Sequence, residues 1–227
     1  MTKKQLLKDK LAQKSRQHTV YKDSDGNRVP GVTTITGVLN KPQLVPWANR
    51  MGLQGIDTTK YVDELAGAGT CAHLMVEKHL KKEAPDLSAF SQDQIDLAEN
   101  AFLKYLNWEK TNTFEVVSSE IQLVSDRYHY GGTLDIYGHL NGTRTLIDLK
   151  TSKGIYSEHF TQVSAYRNLL IESGVEVEDC RILRIGRDES EGFDDVHIPR
   201  VEIHFELFKS CLKVYELQKI LRRKETK

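Results

Sequence analysis

Cysteine is scarce in this chain, with only Cys71, Cys180 and Cys211 spread over 227 residues. The odd number and the lack of any Cys-x-x-Cys pair argue against a disulfide framework. They also argue against a four-thiolate zinc site and exclude an iron–sulfur cluster held by four cysteines. We therefore expect three reduced, buried thiols.

Long apolar runs are lacking as well. No stretch approaches the roughly 18 continuous apolar residues that a membrane span needs, so no membrane partner is expected. Residues 1–17 are rich in lysine but lack the apolar region of a secretory signal, which predicts a cytoplasmic location. Basic and acidic residues are equal in number, at 32 each. This balance disfavours nucleic-acid binding through the overall field but is compatible with a locally basic groove.

Repeats, low-complexity segments and long Pro/Gly/Ser linkers are absent from the sequence, so one domain over residues 1–227 is the simplest organisation. Within it we distinguish an N-terminal tail or helix at 1–29, a helical part at 30–112 and a sheet-containing core at 113–227. Residues 3–16 are expected to form a short charged helix or a mobile tail.

Apolar periodicity predicts a mixed order of helices and strands. Ser91 and Gln94 form a capping-box pattern, and Ser157 and Gly174 are the expected N-cap and stop of a later helix. The expected helices are 30–39, one from Pro46, 67–82, 91–110, 157–173 and 205–223, and the expected strands are 116–124, 130–140, 143–150, 181–185 and 201–204. This order predicts an α/β (α+β) fold with a central mixed sheet flanked by helices.

The sharpest local signal is Asn141-Gly142, which lies between two strand-like runs and is typical of a two-residue hairpin turn. In such a hairpin Leu140 faces Thr143. Continuing the register places Asp135 opposite Asp148. Thr133 then lies opposite Lys150, which is two residues from Asp148 and points to the same side.

Strand alternation separates an apolar face of this hairpin from a polar one. We expect the apolar face to hold Leu134, Ile136, Leu140, Ile147 and Leu149, and the polar face to hold Thr133, Asp135, Tyr137, Asp148 and Lys150. Two carboxylates directly across a strand pair repel each other unless a cation compensates them. Mg²⁺ binds to one or two carboxylates and completes its shell with water and phosphate oxygens. The alternative is a cross-strand salt-bridge cluster on a solvated face.

Several segments, in this order, resemble the PD-(D/E)XK nuclease superfamily. They are Pro-Gly-Val-Thr-Thr-Ile-Thr from Pro30, Gly-Thr-Leu-Asp at 132–135, Ile-Asp-Leu-Lys-Thr-Ser at 147–152, and Gln162 with Tyr166. The chain is most similar to the RecB-like exonuclease branch, which includes the mitochondrial genome maintenance exonuclease and phage-encoded exonucleases. The resemblance extends from about Pro30 to near Ser173. It implies a single nuclease domain with a restriction-endonuclease-like core and a helical N-terminal part.

The resemblance also implies a set of metal ligands for Mg²⁺ or Mn²⁺. Asp135 matches the first acidic ligand and Asp148 the second, in the variant with Asp where many members have Glu. Glu120 resembles the upstream acidic residue of the branch, although it is also consistent with an exposed strand carboxylate. His73 resembles the histidine that this branch adds at the metal site, although a lone histidine is more often structural.

Further residues are implied to act on the substrate. Lys150 matches the signature lysine, and Gln162 and Tyr166, which share one helix face, match the motif that follows it. Ordinary hydrogen bonding of a half-buried helix is the alternative for this pair. A weaker expectation places Thr151, Ser152, Lys153 and Tyr166 at the substrate phosphates. Trp47 is expected to be a core residue, and stacking on a base of single-stranded DNA is its alternative.

The activity that the resemblance implies is metal-dependent hydrolysis of DNA phosphodiester bonds by an exonuclease in replication, recombination or repair. The expected partners are DNA, single-stranded or with a free end, and recombination or replication proteins. The expected location is the cytoplasm, or the host cytoplasm for a phage-encoded protein. Two alternatives are a catalytically silent nucleic-acid-binding or protein-adaptor module on the same fold and an endonuclease with the same site. Some RecB-like nucleases carry a four-cysteine iron–sulfur cluster, and this chain cannot build one.

Overall fold

The structure is a computed structural model that describes residues 19–225, so the expectation for residues 3–16 lies outside the described residues. We number the helices α1 to α6 and the strands β1 to β5 in chain order. The helices are α1 (Val32–Thr36), α2 (Leu44–Leu53), α3 (Thr58–Lys81), α4 (Gln92–Lys110), α5 (Ser157–Glu172) and α6 (Val201–Glu225). The strands are β1 (Phe114–Ser125), β2 (Tyr130–Leu140), β3 (Thr143–Lys150), β4 (Asp179–Ile185) and β5 (Phe193–His197).

The five strands form one mixed sheet in the order β1-β2-β3-β4-β5. All neighbouring strands are antiparallel except β3 and β4, which are parallel and joined through α5. A parallel pair needs such a crossover because a tight turn cannot return the chain to the same end of the sheet. The predicted α/β (α+β) fold, a central mixed sheet flanked by helices, is confirmed.

Two buried apolar clusters lie beside the sheet. The first, which we call the α5–α6 cluster, contains Leu134 and Tyr137 with residues of α1, α5 and α6. The second, the α3–α4 cluster, contains Ile136, Leu140, Ile147 and Leu149 with residues of α3 and α4. The predicted faces are therefore wrong in part, because Leu134 and Ile136 pack in different clusters and strict alternation is broken around Asp135.

Local capping explains where the long helices begin. The Asp57 side chain accepts from the backbone N–H groups of Thr59 and Lys60, so α3 starts nine residues before the predicted position. The predicted capping box of Ser91 and Gln94 is present at the start of α4. Ser157 is not an N-cap, because Tyr156 holds that position and Ser157 is the first helical residue of α5.

The predicted strand at 201–204 is wrong. Its apolar–polar alternation covers only four residues, and Ile203 is 61% exposed in the first turn of α6. The fifth strand is instead β5, where Asp194 and Asp195 pair with Arg184 and Arg181 on β4. Such a charged strand carries little apolar signal, since its contacts are ion pairs between neighbouring strands.

All three cysteines are buried and free, as predicted. Over residues 19–225, no helix combines the length and the apolar character required to cross a bilayer.

Candidate metal centre

The β2–β3 hairpin forms one side of the site. Asn141 and Gly142 both adopt positive φ angles, and Leu140 pairs with Thr143, as predicted. The ladder ends at the pair Ile136–Ile147. Beyond it, the Leu149 N–H donates to Asp135 Oδ2 at 2.7 Å instead of to a strand carbonyl. The predicted regular pairing of Asp135 with Asp148 is therefore wrong, because the ladder stops just before these residues.

The neighbouring strand β1 brings Glu120 to Asp135. Ser119 pairs with Ile136 and Ile121 pairs with Leu134, which leaves Glu120 and Asp135 facing each other between these pairs. Glu120 has a φ of 52°, a left-handed conformation that costs free energy for a residue with a side chain. The strand is thus locally distorted at the position of this carboxylate.

His73 approaches from α3 and completes the cluster. Its Nδ1 atom lies 3.3 Å from Asp135 Oδ1. Ligand atoms of His73, Glu120 and Asp135 all lie within 4.8 Å of one another. Gly69 allows α3 to come this close, because a Cβ atom there would lie only 2.7 Å from Thr151 Oγ1.

Burial and mutual charge shift the pKa values of these three groups. Burial and the nearby charge of Asp135 raise the pKa of Glu120 to about 8. Burial alone would lower the pKa of His73, but the charge and hydrogen bond of Asp135 outweigh it and raise that pKa to about 9. Burial acts to raise the pKa of Asp135, and His73 and Lys150 bring it below its usual value. The cluster therefore holds two carboxyl groups that repel each other and one proton-binding imidazole.

Asp148 and Lys150 lie at the end of β3 as a buried ion pair. Lys150 Nζ is 2.6 Å from Asp148 Oδ2, and the Asp148 side chain is only 2% exposed. Burial raises the pKa of Asp148 even though Lys150 opposes the shift. Asp148 is not part of the three-residue cluster found among the described residues, although its charge acts on Asp135.

Gln162 and Tyr166 lie on α5 at the same end of the sheet. Gln162 Nε2 donates to the Tyr166 hydroxyl oxygen at 2.7 Å. Burial and the charge of Asp148 raise the Tyr166 pKa well above its ordinary value, so this hydroxyl stays protonated. The ring also explains Gly132 of the Gly-Thr-Leu-Asp segment, because a Cβ atom there would lie 2.6 Å from Tyr166 Cε1.

The residues after the signature lysine lie between two cavities. Thr151 lines the cavity of about 680 Å³ that contains His73, Glu120 and Asp135. Together with Ser152 and Lys153, Thr151 also lines a neighbouring groove of about 560 Å³.

Sequence reasoning missed two neighbours of the cluster. The Tyr21 hydroxyl is hydrogen-bonded to Thr133 Oγ1 at 2.9 Å and lines the same cavity. His159 lies close enough to Lys150 for that charge to act on it. Tyr21 is 112 residues from its partner and carries no local signal. The helical spacing of His159 from Gln162 was the available clue for the second neighbour.

His159 predicts a pH dependence of stability. Burial and then the charge of Lys150 lower its pKa to about 4, whereas an unfolded histidine titrates near 6.5. The unfolded state therefore takes up a proton first, and stability present above about pH 6.5 is lost as the pH falls towards 4. We expect His159→Gln to reduce this loss, measured as the change in Tm between pH 7 and pH 5.

Glutamine is a suitable replacement because His159 Nδ1 accepts from the Tyr156 N–H at 3.3 Å, and glutamine can accept at the same helix position. An equal fall in Tm in both proteins would contradict this account of His159.

The donor set suits a divalent cation. One imidazole nitrogen and two carboxylates are ordinary ligands for such ions. A cation would also remove the repulsion that raises the pKa of Glu120 beside Asp135. Binding would require His73 and Glu120 to release their protons.

The chain is similar to solved structures at low sequence identity. No protein-family model and no curated protein matches the chain. Among solved structures, an alkaline exonuclease from Laribacter hongkongensis is 14% identical, over 58% of this chain and 72% of that chain, with a TM-score of 0.35. The protein SSO0001 is 16% identical, over 67% of this chain and 74% of that chain, with a TM-score of 0.29. Both TM-scores are too low to assign a function to this chain.

Proposed function

We propose that this chain is a divalent-metal-dependent nuclease that hydrolyses DNA phosphodiester bonds, with exonuclease action on a free end. The observation that carries the proposal is the His73–Glu120–Asp135 cluster, with ligand atoms within 4.8 Å, next to the buried Asp148–Lys150 pair. The proposal includes membership of the RecB-like branch, a nuclease domain over residues 1–227, and work with replication or recombination proteins in the cytoplasm.

Four residues would hold the ion: His73, Glu120, Asp135 and Asp148. When bound, a divalent cation supplies Lewis-acid polarisation of the phosphate and makes water a stronger nucleophile. Hydrolysis forms a bond from the water oxygen to phosphorus and breaks the bond to the leaving oxygen. The water loses one proton and the leaving oxygen takes up one.

The remaining residues act on the phosphate and on the water. The Lys150 ammonium group, at 17% side-chain exposure, would orient the water and offset charge that develops on the phosphate. Tyr166 keeps its proton and can donate to a phosphate oxygen, and Gln162 holds the Tyr166 hydroxyl in place. Thr151 lines the cavity that contains His73, Glu120 and Asp135, and it offers a further hydroxyl donor.

The direct test is degradation of labelled linear, circular and single-stranded DNA with Mg²⁺, with Mn²⁺ and with chelator. We expect metal-dependent loss of linear DNA and persistence of the circle. Cleavage of the circular DNA would contradict exonuclease action and favour an endonuclease with the same site. Salt-dependent DNA binding without any cleavage would favour the silent binding module and contradict the proposal.

His73 predicts a preference among metals. Mg²⁺ favours oxygen ligands, whereas an imidazole is a better ligand for transition metals, so Mn²⁺ should gain more from His73 than Mg²⁺ does. We expect half-maximal activity at a lower concentration of Mn²⁺ than of Mg²⁺. His73→Asn should raise the Mn²⁺ requirement by at least roughly 10-fold, since even outer-shell losses cost about that much.

The measurement is initial cleavage rate against metal concentration for both proteins. His197→Asn is the control, because this histidine is 58% exposed and pairs with Asp179 away from the cluster. An equal shift of the Mg²⁺ and Mn²⁺ curves in His73→Asn would contradict a direct ligand role for the imidazole.

A further inference from the structure

The groove beside the metal cavity has no assigned role. It is lined by residues of α2, α3 and the segment after β3, and its volume is about 560 Å³. It shares Ala66 and Thr151 with the cavity that contains the metal cluster, so the two spaces adjoin. Whatever lies in the groove therefore lies next to the proposed reaction site.

The surface of the groove is aromatic and apolar. Trp47 and Tyr61 line it together, with ring centroids 6.3 Å apart at an angle of 44°. Trp47 is only half-buried and belongs to neither apolar cluster, so the expectation that it is a core residue is wrong. Leu44 and Val62, which also line the groove, are each 48% exposed. Helix α2 has no buried residue, and its Leu44 and Trp47 lie at this surface.

The charge of the groove is of one sign. Its charged lining residues are Arg50, Lys153 and Arg187, and none of the acidic residues that the structure describes lines it. Arg187 is neutralised by a buried pair with Glu191 at 2.7 Å. Arg50 and Lys153 are exposed and have no ion-pair partner within residues 19–225. Two cations are thus available beside an aromatic surface.

We propose that this groove binds one strand of single-stranded DNA, with a base stacked on Trp47 and backbone phosphates at Arg50 and Lys153. A nucleotide offers an apolar base face and an anionic phosphate, which complement the two parts of the groove. The bases inside a duplex are already stacked on their neighbours and cannot offer a free face to an indole. This inference rests on the proposed nuclease function, since it extends that site to the strand that enters it.

The two tryptophans of the chain allow a specific test. Trp108 is 6% exposed, and its indole N–H donates to Asp195, so it lies in the α3–α4 cluster away from the groove. In Trp108→Phe, the remaining fluorescence comes from Trp47. We expect oligo(dT), added with chelator so that no cleavage occurs, to quench this fluorescence saturably, and a duplex of equal length to leave it nearly unchanged.

Affinity provides a second measurement that does not depend on the stability of Trp108→Phe. Anisotropy of fluorescein-labelled oligo(dT) should show roughly 5- to 150-fold weaker binding by Trp47→Leu than by the unsubstituted chain. Arg50→Gln and Lys153→Gln should each reduce the slope of log affinity against log salt by about 0.7. The matched control is Lys110→Gln, an exposed lysine at the end of α4, which should change neither quantity.

The proposal is overturned by unquenched Trp47 fluorescence in folded Trp108→Phe, by unchanged affinity in Trp47→Leu, or by equal quenching with duplex. These results are separate from the nuclease proposal, because binding is measured in chelator. If oligo(dT) does not quench Trp47 fluorescence but metal-dependent cleavage is intact, only the groove proposal is contradicted. If oligo(dT) binds and quenches Trp47 fluorescence but no metal supports cleavage, only the nuclease proposal is contradicted.

Discussion

Asp135→Asn is expected to reduce metal-dependent cleavage by more than roughly 100-fold, because loss of an outer-shell partner alone costs about 10- to 100-fold. Asp135 contacts His73 at 3.3 Å and also accepts from the Leu149 N–H at 2.7 Å. Asparagine keeps an oxygen for the backbone hydrogen bond but removes the charge that a cation and His73 require. The measurement is the initial rate on linear DNA at saturating Mn²⁺, together with Tm in chelator.

The Tm in chelator distinguishes a lost site from a lost fold. We expect it to change little, since the substitution also removes the repulsion between Asp135 and Glu120. Added Mn²⁺ should raise the Tm of the unsubstituted chain more than that of Asp135→Asn. Asp63→Asn, at an exposed position on α3, is the matched control and should keep both responses. Cleavage within a few-fold of the unsubstituted rate in Asp135→Asn would remove the metal-centre assignment.

Lys150→Met is expected to reduce the cleavage rate by roughly 10²- to 10³-fold, the usual cost of removing one group that stabilises transition-state charge. It should also destabilise the metal-free protein, because Asp148 is buried and loses its partner at 2.6 Å. Breaking such a buried pair costs about 3 to 5 kcal/mol. The loss should be greatest at alkaline pH, where Asp148 is ionised, and smaller near pH 6, where it takes up a proton.

The double variant Lys150→Met with Asp148→Asn separates stability from catalysis. With both charges gone, the free energy of unfolding should recover most of the loss, whereas cleavage should stay low. Urea unfolding at several pH values and cleavage rates on the same preparations would measure both. Lys110→Met is the matched control on the surface of α4. Recovery of cleavage in the double variant, or an unchanged stability in Lys150→Met, would contradict the role assigned to this pair.

The β2–β3 hairpin shows how far local signals reach. The turn at Asn141-Gly142 fixes the register, and the bounds of both strands and the pairing of Leu140 with Thr143 agree with the prediction. The register that the turn predicts does not show where the β2–β3 ladder ends, which is at the pair Ile136–Ile147. That end depends on the Asp135 side chain accepting the Leu149 N–H, a contact that no alternation pattern contains.

Residues 201–204 and Trp47 show where predictions from local sequence signals fail. Residues 201–204 alternate like a strand, yet they begin α6, because the helix packs through Phe208, Cys211 and Leu212 further along. Trp47 has a large apolar side chain of the kind expected in a core, yet on α2 it is only half-buried and lines the groove. In both cases the position depends on which distant element is available to pack, and four to ten residues carry too little information to decide it.

The sequence by itself determined the order of most helices and strands, the mixed sheet, the reduced cysteines and the proximity of Asp148 and Lys150, because turns, caps and periodicity act over a few residues. Only the tertiary structure decided that His73 and Glu120 meet Asp135, whereas Asp148 pairs with Lys150. The reason is physical. These contacts join α3, β1 and β2 across long stretches of chain, and their geometry follows from packing α3 against the sheet, including the close approach at Gly69.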